Sequence, residues 1–379
     1  MKVLISGTAG AGGWPSPGCE CASCGRLDPG HRRPTSVVLS GSVRLPPTGP
    51  FPSGHRASSG PDGLTVTTPG GRRVLYAAPL RSPVPQDGPA TPQDGLLLPC
   101  GGEDGRRALP SPDDRPTGSR GGEDGCGPAP DLVLADVLER PERLGDLRRR
   151  GLVGPRTHVI AVDVDHRVPT EAELARRAAL WGVRVVPDGT VVDLGEAPPA
   201  PAPVPRRTLL LGGSRSGKSA EAELRLAAEP GVLYVATGPS GEGDPEWLRR
   251  IEAHRHRRPA HWGTTETTDL AGLLRSATIP LLIDGLGTWV AAVFDECDAW
   301  SGENGRDAVA ARFDELVDAW RRARVRVVAV SDEVGLGVVP ATSGGRLFRD
   351  ALGRLNQRLA GESEDVALVV AGRLLPLPI

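Results

Sequence analysis

Between Thr208 and Val370 short apolar runs recur along the chain: Thr208–Leu211, Val232–Ala236, Pro280–Ile283, Val325–Val330 and Val366–Val370. Segments with helical spacing separate them. Runs that are apolar on both faces predict strands buried on both sides. Their alternation with helices predicts an α/β fold with a mostly parallel sheet. Earlier in the chain, LVLADVLERPERLGDLRRRG from Leu132 reads as helical, THVIAVDVDH as a strand and TEAELARRAALWG as a capped helix. Residues 196–206 are proline-rich, a semi-rigid linker without a core. They set the boundary of a C-terminal domain at 207–379.

Composition changes the picture of the N-terminal half. The chain has 50 glycines and 38 prolines among 379 residues, and the excess concentrates between residues 41 and 130. There PQDG occurs twice, at Pro85–Gly88 and Pro92–Gly95, and GGEDG twice, at Gly101–Gly105 and Gly121–Gly125. This stretch is expected to be a low-complexity insert, largely disordered or loosely attached. It divides the ordered N-terminal region into 1–40 and 131–195. The formal net charge of −2 advertises no nucleic-acid or membrane partner. No apolar run is long enough to span a bilayer, and the apolar run opening MKVLISGTAGAGG is shorter than a signal peptide needs. The expected location is cytoplasmic. Clustered cysteines in such a chain suggest a metal before a disulfide. Cys19, Cys21 and Cys24 are clustered, while Cys100, Cys126 and Cys297 are scattered.

The first C-terminal strand runs into Gly212, Gly213, Ser214, Arg215, Ser216, Gly217, Lys218 and Ser219, the pattern G-x-x-x-x-G-K-S. Such glycines let the backbone wrap phosphate oxygens, and the following helix N-terminus favours negative charge. Lys218 is expected at the β- and γ-phosphates and Ser219 on Mg²⁺. Asp284 ends the run PLLID, where a carboxylate completes the Mg²⁺ shell.

Asp244 followed by Pro245 reads as a helix start, and EWLRRIEAHRHR continues it. At about 100° per residue, Trp247, Leu248 and Ile251 form one apolar face. His254 falls about 60° from Ile251, at the edge of that face, and His256 about 140° away, toward solvent. His261 follows Pro259 and lies outside the helix. The three imidazoles therefore do not converge as metal ligands. His254 is either a plain helix-edge residue or a nucleophile. Arg255, Arg257 and Arg258 flank it, suit a triphosphate, and disfavour a charged imidazole before nucleotide binds.

Residues 207–379 resemble the bifunctional adenosylcobinamide kinase / adenosylcobinamide-phosphate guanylyltransferase family. The matching stretches are GGSRSGKSAEAE, VLYVATG, RIEAHRHRRPAHWGTTE, LLIDGLGTWV, VSDEVGLGVVP and GRLFRDALGRLNQRLA, in order. The resemblance implies a RecA-like P-loop fold and a ring-like homo-oligomer. It implies nucleotide contacts at Gly212–Ser219, at Thr237, Gly238 and Pro239, along Arg255, His256, Arg257 and Arg258, and at Glu266 and Asp284. The implied substrates are adenosylcobinamide and nucleoside triphosphates, with ATP or GTP feeding a kinase step. His254 then accepts GMP from GTP, and the product is adenosylcobinamide-GDP. Asp332 departs from the family pattern, which has Asn there. The competing reading is a P-loop switch, or a kinase alone, with the N-terminal half as an interaction module.

GTAGAGGWPSPGCECASC and DHRVPTEAELARRAALWGVRVVPDGT resemble the opening and closing parts of metallo-β-lactamase-like proteins. That fold holds its catalytic metals with H-x-H-x-D-H, which this chain lacks. DVDH at Asp163–His166 lacks the two leading histidines. The expectation is a degenerate domain without hydrolase chemistry, in which Cys19, Cys21 and Cys24 either supply three of the four ligands of a structural Zn²⁺ or are three reduced cysteines in a degenerate loop.

Overall fold

The computed structural model describes residues 1–78, 128–238, 258–300 and 305–378. Residues 1–79 and 129–379 belong to one compact unit.

The N-terminal half contains two sheets. Strands β1 (Lys2–Gly7), β2 (Ser36–Leu39) and β3 (Val43–Leu45) belong to the first. Strands β4 (Arg56–Gly60), β5 (Gly63–Thr67), β6 (Arg73–Ala77) and β7 (Leu132–Ala135) belong to the second. Helix α1 (Glu142–Arg149), β8 (His158–Ala161), helix α2 (Glu171–Trp181) and β9 (Thr190–Asp193) follow. The sheet orders are β3-β2-β1-β9 and β4-β5-β6-β7-β8. Strands alternate their side chains between faces, so Val3, Ile5, Val37 and Leu39 meet Leu64, Val66, Val74, Tyr76, Leu132 and Leu134 in one core. The opposite face of the second sheet packs Leu75, Val133 and Val159 against Leu144 and Leu147 of α1 and Leu174, Ala178 and Trp181 of α2.

Two expectations change here. Residues 43–77 are not part of a loose insert: they form β3 to β6, with Val43, Leu45, Val66 and Tyr76 buried. Within 43–77 the glycines and prolines lie mostly in the turns between these short strands, so averaged composition hid the alternation. The remainder of the expected insert, residues 79–127, lies outside the described residues. The second change is LVLA, expected to be helical, which is strand β7 paired in parallel with β6 and β8. Its four consecutive apolar residues suit a position between two strands, and Pro141 caps α1 only afterwards. The proline-rich stretch joins two halves that share a packed contact, described below. By contrast α2 is capped as its sequence suggests. The Thr170 hydroxyl accepts from Glu173 N, and Gly182 closes the helix at φ 60°.

The C-terminal half runs β10 (Arg207–Gly212), α3 (Lys218–Leu226), β11 (Leu233–Ala236), β12 (Gly263–Glu266), α4 (Leu270–Ser276) and β13 (Leu281–Asp284). It continues through α5 (Leu286–Glu296), α6 (Arg306–Arg321), β14 (Val327–Asp332), α7 (Ser343–Ala360), β15 (Asp365–Val370) and β16 (Arg373–Pro376). The sheet order is β12-β11-β13-β14-β10-β15-β16. Every pairing is parallel except β15 with β16. One face of the sheet packs on α4 to α7 through Trp289, Phe294, Phe313, Trp320 and Leu355. The other packs Leu210, Leu282 and Val328 against Ala222 and Leu226 of α3. The five expected strands are all present. β12 (GTTE), at one edge of the sheet, is mostly exposed and lacks the apolar signature; β16, at the other edge, is too short at four residues to stand out.

Candidate active site

The carboxyl ends of β10, β11, β13 and β14 converge, and the glycine-rich loop lies between β10 and α3. Gly217 takes φ 99° and caps α3, so Lys218 is the first helical residue. Position 217 requires glycine twice over, for its left-handed backbone and because a Cβ would stand 3.2 Å from Gly372 Cα. The β15–β16 turn thus supports the loop, with Gly372 N donating to Ser216 O at 2.8 Å. Ser216 Oγ is buried without a hydrogen-bond partner.

Lys218 Nζ donates to Gly213 O at 3.1 Å and lies 2.9 Å from Asp332 Oδ1. Asp332 reaches this place because β14 lies beside β10 in parallel, with Gly212 opposite Asp332. Its main chain is fixed by Asn356 of α7, whose Nδ2 donates to Asp332 O at 3.1 Å and whose Oδ1 accepts from Ser331 Oγ at 2.6 Å. Its second carboxylate oxygen abuts the first turn of α5, where a Cβ on Gly287 would stand 2.7 Å from Asp332 Oδ2.

Ser219 Oγ donates to Asp284 Oδ1 at 3.1 Å. The other Asp284 oxygen accepts from Tyr234 OH at 2.8 Å. Burial, and then the adjacent Asp284 carboxylate, push the Tyr234 hydroxyl far above its usual range, which keeps it a donor. The Arg258 guanidinium lies over the Tyr234 ring, 3.5 Å from its centroid. Thr237 is buried, its hydroxyl donating to Gly285 O at 2.6 Å and 2.8 Å from Thr288 Oγ1. Ala236 is opposite Glu266 on one side and Asp284 on the other, so both carboxylates sit at one level of the sheet. Gly212, Gly213, Ser214, Arg215 and Ser216 fall in the loop before α3, and Gly238 follows Thr237. Pro239, His254, Arg255, His256 and Arg257 lie outside the described residues. His261 sits in the turn after Pro259, its Nε2 3.4 Å from Glu229 O. Sequence reasoning missed Tyr234 and Asn356, since neither carries a local motif.

A second cluster lies in the N-terminal half. The ligand atoms of Cys19, Cys21, Cys24 and His166 all fall within 4.8 Å of one another. His166 Nδ1 is 3.7 Å from both Cys19 Sγ and Cys24 Sγ. Tetrahedral zinc with ordinary bond lengths separates such N and S atoms by about 3.6 Å. Burial pushes the Cys24 thiol up to about 11, while Cys24 N donating to Cys21 Sγ lowers that thiol. His166 belongs to the DVDH stretch and stands beside the three cysteines, where a fourth ligand would be needed.

One strand, β14, separates the phosphate-loop strand β10 from β13 and its carboxylate. That order, with the loop, lysine and hydroxyl of Gly212–Ser219, defines a P-loop nucleotide-binding enzyme of RecA-like architecture. Residues 208–377 match the family model for cobinamide kinase / cobinamide phosphate guanyltransferase. The chain is 44% identical over 181 residues to the bifunctional adenosylcobalamin biosynthesis protein CobP of Pseudomonas aeruginosa, covering 46% of this chain and 96% of that one. It is 39% identical over 174 residues to CobU of Escherichia coli, covering 43% and 95%. It is 37% identical over 174 residues to CobU of Salmonella typhimurium, again covering 43% and 95%. The chain belongs to the cobinamide kinase / cobinamide phosphate guanyltransferase family, whose two activities both act on the cobinamide side of cobalamin synthesis. No helix among the described residues is long and apolar enough to cross a membrane.

Proposed function

We propose that the phosphate-loop site carries the kinase step with Lys218 as its principal cation and that His254 carries the guanylyl transfer. The observation that supports this most directly is the grouping of Lys218, Ser219, Asp284 and Asp332 at adjoining strand ends. Lys218 neutralises charge on the phosphoryl group as it passes to the aminopropanol hydroxyl of adenosylcobinamide. The backbone of Gly212–Gly217 holds the remaining phosphates, and Thr237, Gly238, Pro239, Arg255–Arg258 and Glu266 complete the nucleotide contacts. Ser219 and Asp284 offer the hard oxygen ligands that Mg²⁺ takes, and Tyr234 orients the carboxylate. Bound there, Mg²⁺ supplies charge neutralisation at the β- and γ-oxygens.

In the second step the His254 imidazole attacks the α-phosphorus of GTP and pyrophosphate departs. The phosphate of the substrate then takes GMP from the histidine, so that one transfer between anions becomes two easier ones. Cys19, Cys21, Cys24 and His166 hold a structural Zn²⁺ that ties the cysteine loop to the segment entering α2.

Incubation with GTP labelled at the α-phosphate, and separately with adenosylcobinamide and each triphosphate, tests the reading. Acid-labile label on the protein and phosphorylated cobinamide are expected. Lys218→Ala should reduce phosphorylation at least a hundredfold. Triphosphate hydrolysis without either product would establish a nucleotide switch instead.

A further inference from the structure

The family model begins at residue 208, so it gives the N-terminal half no part in the chemistry. The contacts of α3 nonetheless tie it to the helix that opens with Lys218. Arg176 reaches from α2 with both terminal nitrogens: Nη1 lies 2.8 Å from Glu221 Oε1 and Nη2 3.2 Å from Oε2. Glu221 stands three residues beyond Lys218 and also accepts from Arg225 Nε at 2.8 Å. Arg225 in turn pairs with Asp365 of β15. One carboxylate therefore links α2 to the phosphate-loop helix and, through Arg225, to the sheet.

At the other end of α3 the carbonyls run out of intrahelical partners, as they must at any helix C-terminus. Here the N-terminal half supplies donors. Trp181 Nε1 donates to Leu224 O at 2.7 Å, and Arg148 Nη1 to Ala228 O at 2.8 Å. Arg148 Nη2 also donates to Trp181 O at 2.7 Å, which holds the two donors together. Leu224 and Ala228 pack into the apolar core of the N-terminal half. The approach is close at Gly145 of α1, where a Cβ would stand 2.5 Å from Glu229 O.

We propose that the N-terminal half is a brace for the phosphate-loop helix, with Arg176 and Trp181 as positioning residues for phosphoryl transfer. The inference rests on the kinase reading of Lys218 given above. Helix α3 has nine residues and begins with Lys218 and Ser219. A helix that short moves as a rod, so the groups that hold its far end also set the position of its first turn. Misplacing a reacting group by about 1 Å costs on the order of a hundredfold in rate.

The test uses the full chain with Arg176→Ala, Arg176→Lys, Trp181→Phe and Glu221→Gln. Arg176→Ala should lower kcat for phosphorylation of adenosylcobinamide about tenfold. Arg176→Lys should recover only part, because an ammonium cannot make both bonds to Glu221. In a Glu221→Gln background, Arg176→Ala should have less than half its effect on ln kcat. Trp181→Phe keeps most of the ring volume and loses one donor, so it carries the test if Arg176→Ala does not fold. Variants whose unfolding temperature falls while kcat and the nucleotide Kd stay within twofold of the parent would overturn the proposal. So would variants that change nothing. Parental kinase activity that Lys218→Ala removes establishes the kinase reading separately, so the brace can fail without it.

Discussion

Lys218 Nζ lies 2.9 Å from Asp332 Oδ1, so the cation that serves phosphate is already paired with a carboxylate of its own chain. Nucleotide binding must share or displace that partner and leave a negative charge beside the phosphates. Asp332→Asn keeps the size and removes the charge. The pair is partly exposed, at 13% and 41% for the two side chains, so its worth is about 0.5–1 kcal/mol. Triphosphate should therefore bind about two- to fivefold more tightly to Asp332→Asn. Titration with a fluorescent nucleotide checks this, and weaker binding would show that Asp332 helps to hold the ligand.

His254→Ala should abolish the covalent GMP adduct, and His256→Ala should not. The expectation rests on sequence spacing alone: at about 100° per residue His254 would border the apolar face and His256 would fall about 140° from Ile251. The kinase step should survive His254→Ala in part, since it needs a cation and positioning rather than an imidazole. Mass spectrometry of GTP-treated protein locates the adduct. Its presence on His256 or a serine, with His254 unmodified, would refute the assignment.

Elemental analysis of the purified chain should find about one zinc per molecule. His166→Ala and Cys24→Ser should each lower zinc affinity by more than tenfold. A chelator should reduce the unfolding temperature of the parent more than that of either variant. A parent free of zinc after growth in zinc-replete medium would leave the four side chains as an ordinary reduced cluster.

Glu171 gives the acid side of the stability curve a specific source. Burial pushes its carboxyl up, but Arg32, which binds both its oxygens, and then His31 outweigh burial and hold it below its ordinary value of 4.5. A depressed carboxylate contributes stability above the unfolded value, and the contribution disappears as pH falls through the folded one. Thermal unfolding followed from pH 7 downward should show the parent losing stability below about pH 4.5 more steeply than Glu171→Gln.

What could be read from the sequence depended on how local the signal was. The phosphate loop, Lys218 and Ser219 are eight consecutive residues, and Asp284 ends an apolar run, so their placement needed no tertiary information. The Lys218–Asp332 pair spans 114 residues, and only the parallel register of β10 and β14 brings it together. His166 is 147 residues from Cys19 and meets it through the fold of the N-terminal half. LVLA misled because a four-residue apolar run next to a helical pattern has no period of its own. The strands between 43 and 77 were hidden because turn residues outweighed three- to five-residue strands in any averaged window.

The seating of Leu224 and Ala228 in the core of the N-terminal half bears on the order of assembly during synthesis. Chains fold from the N-terminus as they leave the ribosome. Strand β1 waits for β9, which begins at residue 190, and the surface between α1 and α2 stays uncovered until residue 228 has emerged. The half that is translated first is therefore completed by the half that is translated second. A translation product ending at the proline-rich linker would leave Trp181 without its partner at Leu224 and uncover the apolar surface around it, and chaperone capture or aggregation is its expected fate.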